Sequence, residues 1–381
     1  MILIVGGGLS GCVLAYRLSL IQDPPPFLLL ESKPELCGNH TWSFHQSDLS
    51  EGNFKWIHPL ISKTWNQQTV RFPDYQRNFR QPYHSIVSQD LAKKIQQALG
   101  DRVRFNVKVK SLSQRSVTLA NGETLNAKTI IDARGISPEL LTRCGYQKFV
   151  GIDVELDQPH TLENPIIMDA TCEQRDGYRF FYVLPWSPTH LLIEDTRYSD
   201  TSDIDQSEYE SEIVQFCTSR GWKIKSILRT ESAALPIPFV SEDRPTSLSG
   251  PIAIGLRGNF FHLTTGYSLA DSVKTAELIA REISGQLDWN SETIRTTLQE
   301  QHSKIQKQGQ YFGLLNRMLF RAAQPHERWK IFSRFYKLPE ELIFRFYSGN
   351  LTKRDQFRIL MGKPPVPLLR AIQQINPREL Q

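Results

Sequence analysis

Six residues near the start of the chain, Gly6-Gly7-Gly8-Leu9-Ser10-Gly11, follow the apolar run Ile2 to Val5 and precede the helix-compatible stretch Cys12 to Leu20. The pattern Gly6-x-Gly8-x-x-Gly11 between a strand and a helix suits a pyrophosphate. One glycine permits the tight turn, one lets the backbone approach the phosphates, and the third lets the helix pack on the strand. The helix N-terminus adds unpaired N–H groups and the positive end of its dipole. A second apolar run, Phe27 to Leu30, ends in Glu31, twenty residues beyond Gly11. A carboxylate at that place accepts hydrogen bonds from the adenosine ribose hydroxyls. Strand, turn, helix, strand and acid in register predict an adenine dinucleotide site with Gly6, Gly8, Leu9, Ser10, Gly11 and Glu31 on the ligand.

Only one such fingerprint is present, which favours a tightly held FAD over a diffusible nicotinamide. A late glycine segment supports this. Gly255-Leu256-Arg257-Gly258 and Thr265-Gly266-Tyr267-Ser268 precede a helix, and Gly266, Tyr267 and Ser268 are expected at the flavin end. FAD hydroxylases usually carry Gly-Asp where this chain has Gly255-Leu256, so a carboxylate contact to the ribityl chain is not part of the expectation. Val107, within the alternating stretch Val103 to Leu112, and Gly135, after the strand Thr129 to Asp132, complete the expected cofactor contacts.

The second constellation is His190-Leu191-Leu192-Ile193-Glu194-Asp195-Thr196-Arg197-Tyr198, an apolar strand that turns acidic without becoming a loop. Side chains alternate across a strand, so Leu192, Glu194 and Thr196 share one face and Ile193, Asp195 and Arg197 the other. Asp195 has Arg197 as an ion-pair neighbour. Glu194 has only Leu192 and Thr196 beside it, which leaves it poorly solvated and favours its protonated form.

The elements that must position these groups follow from length and pattern. At 381 residues the chain exceeds a single hydrophobic core. The fold class expected is α/β: a Rossmann-like FAD-binding fold with a doubly wound sheet, an antiparallel-sheet substrate lobe and a helical C-terminal region. Residues 1–50, 85–150 and 245–290 are assigned to the FAD unit, 51–84 and 151–244 to the substrate lobe, and 291–381 to basic, aromatic helices. The composition, 40% hydrophobic and 22% charged, is that of a globular protein, and no apolar stretch reaches the length of a spanning helix. The first strand begins at Ile2, leaving no room for a signal peptide, so a cytoplasmic location is expected. Five scattered cysteines, with no CxxC, indicate neither a redox dithiol nor a metal site. From residue 301 onward fifteen Lys or Arg stand against five acids, so the tail carries +10 and the remainder −5. Such polarity suits an anionic partner. Nothing resembles an RNA or DNA motif, so a membrane surface is the expected one, with aromatics such as Phe332 and Phe335 entering it.

The strand His190 to Tyr198 resembles the corresponding segment of the lycopene cyclases that make β-rings. Asn39-His40-Thr41-Trp42-Ser43-Phe44, Ala234-Leu235-Pro236-Ile237-Pro238, Leu263-Thr264-Thr265-Gly266-Tyr267-Ser268 and Phe344-Arg345-Phe346-Tyr347-Ser348-Gly349 are similar to further segments of the bacterial carotenoid cyclase family, and the resemblance spans essentially the whole chain. It implies that lycopene and related acyclic carotenoids are cyclised, by way of γ-carotene to β-carotene, with no net redox change although FAD must be reduced, NAD(P)H being a possible reductant. Because the substrate resides in lipid, a peripheral position on the inner membrane face is implied.

In that chemistry protonation at C2 of an acyclic end gives a C1 cation, C6 attacks it, and loss of the C6 proton leaves the ring. Glu194 is then the expected acid, with reduced flavin as the other candidate donor. His40, Trp42, Phe181 and Trp186 are candidate pocket residues, aromatic rings being able to face a cation. Two other readings share the fold: an aromatic-hydroxylase-type monooxygenase and a non-catalytic carotenoid-binding flavoprotein. The sequence fixes no oligomeric state.

Overall fold

The computed structural model describes residues 1–136, 143–240, 250–284, 289–362 and 368–374. Ile2–Val5 is buried at every position, as a strand covered on both faces must be. It lies at the centre of a parallel sheet, flanked by Phe27–Leu30 and Thr129–Asp132, with Val103–Arg104 and Ile252–Ala253 at the edges. Ile2 and Ile4 face the helices Leu9–Ser19, Ser88–Leu99 and Leu269–Ile283, whose apolar stripes build one core. Leu3 and Val5 face Val117 and Leu119 of a small antiparallel sheet, Val109–Leu112, Ser116–Leu119 and Thr124–Asn126.

A second, seven-stranded sheet runs in the order Ile224–Pro238, Cys144–Leu156, His190–Ser199, Tyr178–Pro185, Ile166–Asp169, Gln68–Phe72, Tyr75–Phe79. It is antiparallel except where Ile166–Asp169 pairs with Gln68–Phe72. The boundary expected near residue 150 shifts here. Cys144 to Val150 belong to this sheet, because the strand runs unbroken from Cys144 to Leu156 between two long partners. One face of the sheet packs under the helix Gln206–Ser219. The other packs on C-terminal aromatics including Tyr336 and Phe344.

The C-terminal part is helical, and the sequence places breaks between its helices at Pro325, Pro339 and Pro364-Pro365. A 27-residue helix, Ser291–Arg317, is followed by Trp329–Tyr336, Glu340–Tyr347, Lys353–Leu360 and Leu368–Gln373. The Pro364-Pro365 break lies outside the described residues. No described helix is long and apolar enough to cross a membrane.

Candidate active site

Gly6, Gly8 and Gly11 of the turn meet different surroundings. Gly6 has φ +108°, and a Cβ there would stand 2.7 Å from the Ala133 carbonyl oxygen. A Cβ on Gly11 would stand 1.9 Å from the Gly6 oxygen, so this glycine sets the helix-to-strand approach. A Cβ on Gly8 would meet no protein atom within 4 Å. Gly8 is thus free of demands from the fold and lies open to a ligand, at the uncapped N-terminus of the helix Leu9–Ser19, which has no acid in its first turn. Glu31 Oε2 accepts from Gly7 N at 2.6 Å, and Oε1 from Lys33 N at 2.8 Å. The residues present therefore fit an adenine dinucleotide: an open anion cradle beside a carboxylate fixed by backbone donors.

The remaining expected cofactor residues fall into two groups. Leu9 is buried, Ser10 Oγ bonds Ser272 Oγ at 2.7 Å, and Val107 lies behind Glu31, its N–H donating to the Glu31 carbonyl at 2.8 Å. Gly135 is exposed, with φ +55°. Gly266, Tyr267 and Ser268 instead line a cavity of about 700 Å³. The N–H groups of Gly266 and Tyr267 are bonded internally, to the His262 carbonyl and Thr265 Oγ1. It is the next turn, Leu269 to Asp271, that brings helix-start donors to the cavity wall.

The cavity lies between three walls. The large sheet contributes Gln147, Phe149, Phe180, Tyr182, Glu194, Thr196, Ala233 and Leu235; His40, Trp42 and Phe44 stand on the second side, and the late glycine segment with Phe312 and Tyr347 of the C-terminal helices on the third. Strand alternation decides who faces in. Tyr182 pairs with Glu194 and Phe180 with Thr196, whereas Phe181 pairs with Asp195 on the opposite face. Phe181 accordingly stacks on Phe216 at 4.1 Å and does not line the cavity. Trp186 is also outside it, packed on Trp65 with its Nε1 donating to Asp153 Oδ1 at 2.8 Å. His40 and Trp42 do line it, edge to face at 5.2 Å. Burial, with the nearby Arg229 cation, lowers the His40 pKa to about 4, so its ring is neutral at pH 7.

Glu194 is 9% exposed and Glu231 2%. They flank the same residue, Gly151, one on each neighbouring strand. A Cβ on Gly151 would stand 2.7 Å from Glu194 Cγ and 3.2 Å from Glu231 Cγ; the bare glycine lets the two side chains meet and hydrogen-bond above it. Burial first, and the Glu231 carboxyl second, raise the Glu194 pKa well above the usual carboxylate range. Glu231 is held by Arg229 Nη1 at 2.9 Å and Thr41 Oγ1 at 3.1 Å. Its Oε1 takes no hydrogen from these donors, and burial raises the Glu231 pKa as well. Arg229 is oriented in turn by Asp153 at 2.6 Å.

On the other face Asp195, wholly buried, accepts from Arg179 Nη2 at 2.8 Å and Arg197 Nη2 at 3.0 Å. The expected pairing with Arg197 is present, and Arg179 is a further partner. Two acidic groups were not anticipated from the sequence. Glu231 shares strand parity with Ala233 and with Leu235 of the Ala234-to-Pro238 segment, but its meeting with Glu194 depends on long-range register. Asp48 lines the cavity with its Oδ1 unpartnered, and burial raises its pKa to about 7.

The same architecture occurs in solved structures. A geranylgeranyl bacteriochlorophyll reductase-like protein from Thermoplasma acidophilum superposes with a TM-score of 0.61 at 13% identity, covering 98% of each chain. A thermophilic tryptophan halogenase from Streptomycin violaceusniger gives a TM-score of 0.62 at 14% identity, over 96% of this chain and 92% of the other. Fold and cradle together are those of a Rossmann-like dinucleotide-binding architecture joined to a large antiparallel sheet. Within it, the family described as lycopene cyclase protein matches residues 2–373. The lycopene beta-cyclase of Pantoea ananas is 41% identical, over 98% of this chain and 97% of its own length. That of Paracoccus sp. is 37% identical, over 100% and 98%. The chain belongs to the lycopene cyclase family.

Proposed function

We propose that this chain is an isomerising enzyme that closes β-rings on the acyclic ends of lycopene, through γ-carotene to β-carotene, without net redox change. The observation that carries the proposal is the buried Glu194, its pKa raised by burial and by a second carboxyl, facing a cavity walled by Trp42, Phe149, Phe180 and Tyr182. Alkene protonation needs an acid that keeps its proton at neutral pH, rings that attract a cation, and little water to trap it. Glu194 gives its proton to C2, and the charge appears at C1 within reach of the aromatic walls. C6 then attacks C1, and the C6 proton leaves to a carboxylate. Neutral His40 is unsuited to be the acid. FAD, held at the glycine turn, Glu31 and the 266–271 segment, would supply in its reduced form an electron-rich surface, with NAD(P)H as the reductant class.

Access to a lipid-borne substrate is assigned to the C-terminal surface, although not to the aromatics first expected there. Phe332 stacks on Tyr178 at 4.2 Å and Phe335 packs on Phe346 at 4.7 Å, so both are committed to the fold. Among the described residues of this region the exposed large apolar ones are Phe357, Leu360, Met361 and Leu369, beside Lys353, Arg354, Arg358 and Arg370. Cations of this kind contribute about 1 kcal/mol each near an anionic surface, which suits peripheral attachment on the inner membrane face.

The test is anaerobic incubation of reduced holoprotein with lycopene in liposomes, followed by mass and chromatographic analysis. Products of unchanged mass carrying β-rings are expected. Oxygen uptake or stoichiometric NAD(P)H oxidation with an oxygenated product would sink the proposal in favour of a monooxygenase.

A further inference from the structure

We infer that Glu231, which does not reach the cavity, is a positioning residue: it is the ionised member of a one-proton pair with Glu194, and it keeps the shared proton on the member that faces the substrate. The inference rests on the proposed cyclisation, and its basis is geometric.

Residues on the two strands flanking a third have Cα atoms roughly 10 Å apart. Glu194 and Glu231 bridge that span because the residue between them is Gly151, which presents no side chain. The surroundings of the pair are asymmetric. Glu231 receives Arg229 at 2.9 Å and Thr41 Oγ1 at 3.1 Å, whereas Glu194 feels Arg229 only through its longer-range field and opens on the cavity. Arg229 and Thr41 stabilise negative charge on Glu231, so the proton resides on Glu194. The other titratable groups near the pair are Asp153, one position along the Arg229 chain of contacts, and Tyr182 and Tyr267 on the cavity side. The two tyrosines, with pKa values raised by burial, are neutral at pH 7. Asp153 adds negative charge and acts in the same direction as Glu231.

The proton balance closes within the pair. An O–H bond of Glu194 breaks as the C2–H bond forms; the C1–C6 bond forms; the C6–H bond breaks and the O–H bond of Glu194 is restored. No electrons are gained or lost, and no other acid or base is consumed. While the substrate is cationic both carboxyls are ionised, and the second negative charge favours return of a proton to Glu194.

The sign of the pH effect follows. Removing the Glu231 charge lowers the proton affinity of Glu194, so its active, protonated form disappears at lower pH. Glu231→Gln should therefore move the alkaline limb of the rate profile down by about one pH unit, with FAD content unchanged and the rate on the acid side of the limb within about tenfold of the parent. Glu231→Asp should lie between. Infrared titration gives an independent readout: the protonated-carboxyl carbonyl band that Glu194→Gln removes should titrate at lower pH in Glu231→Gln. A uniform loss of rate with an unmoved limb, or an unmoved band, overturns the inference and leaves the proposed function standing. Full activity in Glu194→Gln would overturn both. Should Glu231→Gln fail to fold, the parent protein still decides. At pH 7 one protonated-carboxyl band is expected to disappear in Glu194→Gln, whatever bands other buried acids such as Asp48 contribute; loss of no band, or of two, overturns the inference.

Discussion

Glu194 and Asp195 are adjacent on one strand, both buried, and have opposite surroundings. The face bearing Asp195 supplies two arginines and covers them with a helix whose Glu208 and Glu212 complete the network at 3.0 and 2.8 Å. The face bearing Glu194 supplies a second carboxyl across a glycine and an aromatic cavity. Depth alone therefore does not decide what a buried acid does. A carboxylate between guanidinium groups is a structural tie, while a carboxyl opposite another carboxyl retains a proton that chemistry can use.

The contrast is open to direct attack. Glu194→Gln should lower cyclisation by about 10²–10⁴-fold while FAD absorbance and melting temperature stay close to the parent; near-normal turnover would erase the distinction between the faces. Asp195→Asn should do the reverse. It leaves two buried guanidinium groups short of a counter-charge, a loss of roughly 3–5 kcal/mol visible in denaturant unfolding, with the rate per folded molecule nearly unchanged. Gly151→Ala should force the carboxyl pair apart by its 2.7 Å clash and reduce the rate about tenfold, as expected for a weakened charge interaction; an unaffected rate would show that contact across the glycine is unimportant. The smallest effects belong to the neighbouring strand. Phe181→Leu should cost about 1 kcal/mol of stability by loss of its stacking on Phe216, with product yield unchanged. Tyr182→Phe should change turnover by a few-fold and stability little, through loss of the hydroxyl bond to Ser43 at 2.7 Å.

The features legible in the sequence were those set by local spacing. The glycine turn and Glu31 are fixed within one strand–helix–strand unit, and Glu194 was separated from Asp195 by the two-residue period of a strand. Glu231 and Gly151 escaped notice because they meet Glu194 only through the register of three strands distant in sequence. Phe181 was assigned to the pocket for the same reason: an aromatic run does not show which parity faces the cavity until it is aligned with Glu194. The C-terminal aromatics misled because composition marks a segment as apolar and basic but does not distinguish Phe332, which stacks inside, from Phe357, which is 65% exposed.

The loop between the glycine turn and the acid pair ties the two together. Cys37 N donates to the Gly7 carbonyl at 2.7 Å, Asn39 Nδ2 to the Thr230 carbonyl at 2.7 Å, and Thr41 Oγ1 to Glu231. Residues that answer to the dinucleotide at one end thus set the partners of a titrating group at the other. Thermodynamic linkage makes such a connection reciprocal: if occupancy of the cradle changes the proton affinity of the pair, then pH must change the affinity for the dinucleotide by the same factor. Fluorescence titrations of the apoprotein with FAD across the range in which Glu194 ionises should reveal that dependence, and Glu194→Gln should flatten it.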